Sequence, residues 1–115
     1  MDQLQELKEK LEEFNKERDW DQFHSPKNVA MALSVEASEI VEIFQWMQGE
    51  ESFELDADEK DKLEEELGDV FLYLQLLASK YDINLLEAGK KKLAKNREKY
   101  PVEKAKGSSK KYTDL

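Results

Sequence analysis

Two short acidic motifs hold the side chains of this sequence that are best suited to chemistry. Glu36 and Glu39 form the first motif, and Glu66 and Asp69 form the second. Acids three residues apart lie on the same side of an α-helix. Four carboxylates that meet cannot all stay ionised without a cation, because each negative charge raises the pKa of the others. Oxygen ligands favour a hard ion, so the pattern predicts a Mg²⁺ site that Mn²⁺ or Ca²⁺ could also occupy.

Both motifs lie inside long amphipathic patterns that predict helices over residues 26–48 and 58–80. Glu36 lies within the apolar stripe of the first helix and Glu66 within that of the second, while the other acid of each motif flanks its stripe. A carboxylate in an apolar stripe is unfavourable unless its charge is compensated. The apolar members of the two stripes are Val29, Leu33, Ile40, Ile43 and Met47, and Leu63, Val70, Leu74, Leu77 and Tyr81.

The two motifs are predicted to lie at similar distances from the loop that joins their helices. Glu39 lies roughly 12–14 Å along its helix before the expected helix end. Glu66 lies roughly 12–14 Å along its own helix after the expected helix start. An antiparallel hairpin would therefore bring four carboxylates to one level. The alternative is that these acids are simply solvated, because a chain with 27 Asp and Glu residues contains some acid pairs by chance.

Two further helices complete an all-α prediction. Residues 3–17 have an apolar stripe of Leu4, Leu7, Leu11 and Phe14, and Asn84 is expected to begin a helix that stops before Pro101. We expect an antiparallel four-helix bundle in one domain, residues 1–101. Residues 102–115 form a basic tail whose composition favours disorder unless the site or a subunit contact orders it. Apolar residues on additional sides of both central helices predict contact between subunits.

The charge distribution limits the partners that we expect. Residues 90–115 hold ten of the 18 basic side chains but only three of the 27 acidic ones. The acidic remainder would repel a nucleic acid polymer, whereas the basic end suits a small polyanion or an acidic helix of a neighbouring element. Without Cys there is no thiolate metal site. No apolar run is long enough for a membrane span and no signal peptide is visible, so we expect a cytoplasmic protein.

Aromatic side chains close to the motifs suit a flat ligand. The connector Arg18–His24 contains three rings. They either cover the apolar end of the bundle or form a surface on which a flat ligand stacks, with Gln22 or His24 as the hydrogen-bonding group. Trp46 and Tyr73 are each either core residues or ligand contacts. With basic side chains between residues 92 and 111 for phosphates, these features indicate a metal-dependent nucleotide hydrolase in which one carboxylate orients the attacking water.

The motifs and their flanks resemble the MazG-like all-α nucleotide pyrophosphohydrolases. Glu-x-x-Glu followed by Glu-x-x-Asp is similar to the acidic signature of that family. Four flanking segments are closest to its dCTP pyrophosphatase branch: Glu17–His24, Glu42–Trp46, Asn96–Pro101 and Lys111–Leu115. The resemblance covers about residues 10–115.

This resemblance implies Mg²⁺-dependent hydrolysis of a deoxynucleoside triphosphate, dCTP or a modified dCTP, to the monophosphate and pyrophosphate in nucleotide-pool house-cleaning. It also implies a homo-oligomer, either a tetramer or a dimer. The four motif acids match the metal ligands and catalytic carboxylates. The segments that line the base and sugar pocket correspond to Trp20, Asp21, Gln22, Phe23, His24, Trp46 and Tyr73. The residues assigned to phosphates, within one subunit or across a boundary, are Lys92, Asn96, Arg97, Tyr100, Lys111 and Tyr112.

Two departures from the family pattern leave the base preference open. Val35 stands where many members have a second Glu, and Leu11 stands where some relatives have a histidine. A lost hydrogen-bonding group can relax discrimination between substrates. The alternatives are a broad-specificity or dUTP-type pyrophosphohydrolase and a non-enzymatic helical interaction module. A ferritin-like di-iron site is disfavoured, because it needs Glu-x-x-His motifs and the one histidine, His24, lies outside the central helices.

Overall fold

The computed structural model describes residues 2–115. No strand occurs among these residues, which confirms the all-α prediction. The helices are α1 Gln3–Glu17, α2 Pro26–Phe44, α3 Ala57–Ser79, α4 Leu85–Lys99 and α5 Val102–Ala105. Three 3₁₀ turns cover Asp21–Phe23, Glu51–Phe53 and Tyr112–Asp114. The chain forms two compact units, Met1–Asp82 and Ile83–Leu115.

In the first unit, α3 packs against both α2 and α1. Four members of the predicted α2 stripe are buried or half-buried on the helix, and Val29 is completely inaccessible. The fifth, Met47, is half-buried but lies beyond the end of α2. On α3 the prediction holds for Leu63, Val70 and Leu77. Leu74 is 38% exposed, and Tyr81 lies beyond the end of the helix and is 59% exposed.

Side-chain caps define where the two central helices begin. The hydroxyl of Ser25 accepts a hydrogen bond of 3.2 Å from the backbone N–H of Asn28, and Pro26 occupies the first turn of α2. Asp56 and Glu59 form a reciprocal capping box at α3, with hydrogen bonds of 2.8 and 3.0 Å. Caps of this kind satisfy backbone N–H groups that the first turn leaves unpaired.

Helix α2 ends at Phe44, four residues earlier than the predicted end near residue 48. Glu39 lies five residues before the end of α2, whereas Glu66 lies nine residues after the start of α3. The prediction of equal distances from the connecting loop is wrong, because the chain leaves α2 early and follows turns before α3 begins.

The inward side of α1 differs from the predicted stripe. The half-buried or buried residues are Leu4, Lys8, Leu11 and Asn15, while Leu7 and Phe14 are 38% and 42% exposed. Phe14 is instead covered locally. The Arg18 guanidinium lies 3.7 Å from its ring centroid, and the Trp20 ring makes an edge contact at 5.5 Å.

In the second unit, the Asn84 side chain accepts a hydrogen bond of 3.0 Å from the backbone N–H of Glu87, as expected for the start of α4. Helix α4 ends at Lys99, before Pro101. The tail forms α5 and a 3₁₀ turn, although its composition favours disorder. The four-helix bundle and its assembly stay predictions. None of the helices between residues 2 and 115 combines the length and apolar content that a membrane crossing requires.

Candidate functional site

Three carboxylates of the two acidic motifs meet between α2 and α3. Glu36, Glu39 and Glu66 each offer one oxygen, and these three oxygens all lie within 4.8 Å of one another. All three side chains are half-buried, whereas Asp69 is exposed and lies outside the group. The structure therefore brings together three of the four predicted metal ligands.

The electrostatics of this acidic cluster, Glu36, Glu39 and Glu66, show how closely its members approach. A hydrogen bond with Glu39, burial, and the charges of Glu39, Glu36 and Asp69 raise the pKa of Glu66 from 4.5 to about 7. The pKa of Glu36 is also raised, first by burial and then by a hydrogen bond with Glu39 and by the charges of Glu39 and Asp69. A hydrogen bond with Glu66 has a smaller effect and lowers this pKa. Asp69 is thus near enough to act on both carboxyls through its charge.

The cluster fits a divalent cation. One oxygen of Glu36 and one of Glu66, Oε2 in each case, are buried without a hydrogen-bond partner. Within residues 2–115, the ion pairs are Arg18–Glu17 and Lys90–Glu87, so no basic side chain neutralises the cluster. A cluster of carboxylate oxygens is the ligand set that a hard divalent ion prefers.

The connector between α1 and α2 presents its rings to solvent. Trp20 is 43% exposed and Phe23 is 60% exposed, so neither is a buried plug within this unit. Gln22 donates from its side-chain nitrogen to the backbone oxygen and the carboxylate of Asp19, at 2.9 and 3.0 Å. His24 is half-buried, and its Nδ1 has no hydrogen-bond partner.

The other residues predicted to contact the ligand in the first unit differ in accessibility. Asp21 is exposed in the 3₁₀ turn. Trp46 is 88% exposed and lies beyond α2, so it is not a core residue of this unit. Tyr73 is half-buried on α3, one turn after Asp69 and two turns after Glu66. It therefore lies on the side of α3 that carries the acids.

The predicted phosphate-binding residues all belong to the second unit. Asn96 is half-buried, and the others are exposed: Lys92, Arg97, Tyr100, Lys111 and Tyr112. The rings of Tyr100 and Tyr112 make an edge contact at 6.1 Å, which ties the tail to the end of α4.

Lys99 is one of the basic side chains between residues 92 and 111 that the sequence predicts for phosphates, and its ammonium group lies 4.9 Å from the Tyr112 ring centroid. The pKa of Lys92 is lowered, mainly by the positive charge of Lys99. Burial, a hydrogen bond with Lys99 and the charge of Lys95 act in the same direction. Lys92 and Lys99 lie on one face of α4 because they are seven residues apart.

The sequence analysis missed the burial of Asn15. Its side chain is 3% exposed, and its Nδ2 has no hydrogen-bond partner. The one signal in the sequence is its position four residues after Leu11, on the same side of α1. Because an amide is common on helix surfaces, that position by itself did not indicate burial.

Comparisons with known proteins agree with the geometry. The model of the MazG-like family matches residues 31–115, which include both acidic motifs. The dCTP pyrophosphatase 1 of Mus musculus is 41% identical over 114 residues, covering 97% of this chain and 67% of the mouse protein. The dCTP pyrophosphatase 1 of Homo sapiens has the same identity and coverage. The crystal structure of a pyrophosphatase from Archaeoglobus fulgidus is 42% identical, with a TM-score of 0.83, and the match covers 88% of this chain and 94% of that one.

Proposed function

The chain belongs to the MazG-like family and is a nucleoside triphosphate pyrophosphohydrolase, and on that premise we propose that its substrate is dCTP or a modified dCTP. Water adds to the substrate, the bond between the α- and β-phosphate groups breaks, and the monophosphate and pyrophosphate leave. The observation that supports this proposal best is the meeting of Glu36, Glu39 and Glu66 with two buried oxygens unpartnered.

The acidic cluster would hold the metal ion, with Asp69 as the fourth carboxylate. A divalent ion bound there, Mg²⁺ first and Mn²⁺ as a substitute, would offset the negative charge of the phosphate groups during the reaction. The half-buried position of Glu36, Glu39 and Glu66 shields their carboxylates partly from water. A carboxylate that the ion does not fully engage would orient the attacking water and accept its proton.

The base and sugar would be held by the connector and by the rings near it. Exposed faces of Trp20 and Phe23, together with Trp46 and Tyr73, offer stacking surface to a flat base. Asp21, Gln22 and His24 supply polar groups in the same segment. For the phosphates we propose the residues of the second unit: Lys92, Asn96, Arg97, Tyr100, Lys111 and Tyr112, with Lys99 added by its contact with Tyr112.

A homo-oligomer, tetramer or dimer, is the assembly that we propose. The support is apolar surface on α2 and α3: Val35 and Val41 are 57% and 61% exposed, and Leu67 and Phe71 are 52% and 38% exposed. Exposed apolar side chains on both central helices are a common feature of surfaces that contact another protein chain. A cytoplasmic location stays a prediction, which cell fractionation would check.

The test is a panel of deoxynucleoside triphosphates, with pyrophosphate and monophosphate measured in Mg²⁺ and in excess EDTA. We expect equimolar dCMP and pyrophosphate from dCTP in Mg²⁺ and none in EDTA. Glu36→Gln should abolish the reaction without changing the helical circular dichroism. Equal rates on dUTP and dCTP would replace the dCTP preference with the broad-specificity alternative. No pyrophosphate from any triphosphate, with no stabilisation by Mg²⁺, would favour the interaction module instead.

A further inference from the structure

Asp19 stands at the end of α1, where a glycine would fit the backbone better. The N–H of Trp20 donates to the carbonyl oxygen of Asn15 at 2.9 Å, and the N–H of Asp19 donates to that of Lys16 at 3.1 Å. This pattern is a Schellman motif, which needs a left-handed backbone at residue 19, and the φ of Asp19 is 55°. Aspartate tolerates this conformation better than most residues, but glycine adopts it without steric cost. Helix termination by itself therefore does not call for an aspartate.

The aspartate binds the side chain of Gln22. Nε2 of Gln22 donates to the backbone oxygen of Asp19 at 2.9 Å and to its carboxylate at 3.0 Å. An amide oxygen would repel both of these acceptors, so the nitrogen must be the atom that faces Asp19. The two bonds use both hydrogens of the amide nitrogen. The group that Gln22 has left to offer is Oε1, which can only accept a hydrogen bond.

The connector around this amide is fixed from both flanking helices. The Arg18 side chain donates to the backbone oxygen of Phe14 at 3.1 Å, and the Asn28 side chain donates to that of Phe23 at 3.1 Å. The ring of Trp20 makes its edge contact with Phe14 at 5.5 Å. A polar group held in place before a ligand arrives loses little freedom when the ligand binds.

Ligands in solution can reach this part of the connector. Gln22 is exposed, and the rings of Trp20 and Phe23 are 43% and 60% exposed. No opening of the fold is needed for a molecule to meet these side chains. An accessible acceptor in the same short segment as two accessible rings suits a flat heterocycle that carries a hydrogen-bond donor on its rim.

We propose that Asp19 is a positioning residue that holds Gln22 as an acceptor for the exocyclic amino group of the base. This inference rests on the proposed function and specifies how dCTP is distinguished from dUTP. Cytosine carries an amino group at C4, which is a donor, whereas uracil carries a carbonyl oxygen there, which is an acceptor. Oε1 of Gln22 therefore binds the first and repels the second. A substituent at C5 leaves the amino group in place, so a modified dCTP is accepted as well.

The experiment compares Asp19→Gly with the matched control Asp82→Gly, using pyrophosphate release from dCTP and dUTP. Asp82 is exposed and has a φ of 54°, but it lies outside the connector. Asp19→Gly should lower kcat/KM for dCTP and raise it for dUTP, because a released amide can turn and donate to the uracil oxygen. We expect the ratio between the two substrates to fall about tenfold, which corresponds to one hydrogen bond. The Tm should stay level or rise in both variants, and Asp82→Gly should leave the ratio unchanged.

Two further variants separate positioning from packing. Gln22→Met keeps the length of the side chain but has no amide acceptor, and it should lower the ratio as Asp19→Gly does. Asp19→Asn keeps an acceptor oxygen and tolerates the left-handed backbone, so it should keep the ratio near that of the wild type. An unchanged ratio in Asp19→Gly or in Gln22→Met, or an equal loss on both substrates, overturns the inference.

A second measurement distinguishes a failure of this inference from a failure of the proposed function. The Tm shifts produced by dCMP and by dUMP require no hydrolysis. A larger shift with dCMP that Asp19→Gly and Gln22→Met both abolish supports the inference even when no triphosphate is hydrolysed. Equal shifts with the two monophosphates in the wild type, or a dCMP preference that both variants keep, overturn the inference alone. A wild-type protein that hydrolyses no triphosphate and gains no stability from dCMP refutes both.

Discussion

Glu66 carries a carboxyl group that keeps its proton up to near neutral pH. Its hydrogen bond with Glu39, its burial, and the charges of Glu39, Glu36 and Asp69 raise its pKa to about 7. Such a carboxyl group is largely protonated below neutral pH when no metal ion is bound, and it must lose that proton before it can coordinate a cation. At the scale of single residues, a proton and a bound metal ion would therefore compete for the same oxygens.

The first prediction concerns pH. In the absence of a metal ion, Glu66 binds its proton more tightly in the folded protein than in the unfolded chain, where its pKa is 4.5. The stabilisation that this provides is complete below about pH 4.5 and is lost as the pH rises through about 7. Stabilisation by Mg²⁺ should grow over the same range because the ion binds the deprotonated form. Melting curves from pH 5 to pH 8, with Mg²⁺ and with EDTA, measure both trends.

The second prediction concerns the charge of Glu66. Glu66→Gln removes one of the mutually repelling carboxylates, so at pH 8 without metal its Tm should lie above that of the wild type. The same change should abolish the Mg²⁺-dependent rise in Tm and the pyrophosphate release. Glu65→Gln is the control, since Glu65 is an exposed neighbour on α3 outside the cluster. A normal Mg²⁺ response in Glu66→Gln would contradict the assignment of Glu66 as a ligand.

Two helices position the acids, and their first turns decide the register at which the acids meet. Helix α2 begins at the Ser25 cap, and α3 begins at the capping box of Asp56 and Glu59. Because the side chains on a helix follow its backbone rotation, a change of start or rotation in α3 would turn Glu66 away from the acids of α2. At the scale of elements, the caps therefore support the site from a distance.

The third prediction tests this support. Asp56→Ala removes the side chain that accepts the Glu59 N–H at 2.8 Å, which should cost about 1 kcal/mol of folding free energy. A loss of that size lowers the Tm by roughly 4 °C. Asp61→Ala on the exposed side of α3 is the control and should change the Tm little. Thermal denaturation with Mg²⁺ absent measures the difference, and equal Tm values for the two variants would show that the cap contributes nothing.

The whole molecule is small and exposes much of its apolar surface. Among residues 2–115, Val29, Leu76 and Ala78 are the buried apolar side chains, while Val41 and Leu67 remain more than half exposed. A chain of this length buries only part of its surface when it folds alone. Association with further copies would cover the apolar sides of α2 and α3 and add to the stability of each subunit.

The fourth prediction concerns this association. Leu67→Lys places a charge on the exposed apolar side of α3 and should shift the protein toward smaller assemblies, because a buried unpaired charge is strongly unfavourable. Glu65→Lys is the matched control, since helical spacing puts Glu65 on the opposite side of α3. Light scattering after size-exclusion chromatography gives the mass of each variant. An identical mass for wild type and Leu67→Lys would exclude this side of α3 from the interface.

Local features of the fold were predictable because short-range chemistry determines them. The 3.6-residue periodicity located all four long helices, and Ser25, Pro26 and Asn84 marked where two of them begin. The acids of each motif share a helix side because three-residue spacing requires it. That Glu36 and Glu66 lie in apolar stripes also followed from periodicity.

What the tertiary structure decided depends on contacts between residues distant in the chain. The early end of α2 at Phe44 and the rotation of α1, which turns Asn15 inward and Phe14 outward, come from packing that no local pattern encodes. The sequence by itself determined which acids share a helix side. Only the packing of α2 on α3 decided that three carboxylates meet while Asp69 stays exposed, because the distance between two helices depends on all the side chains that separate them.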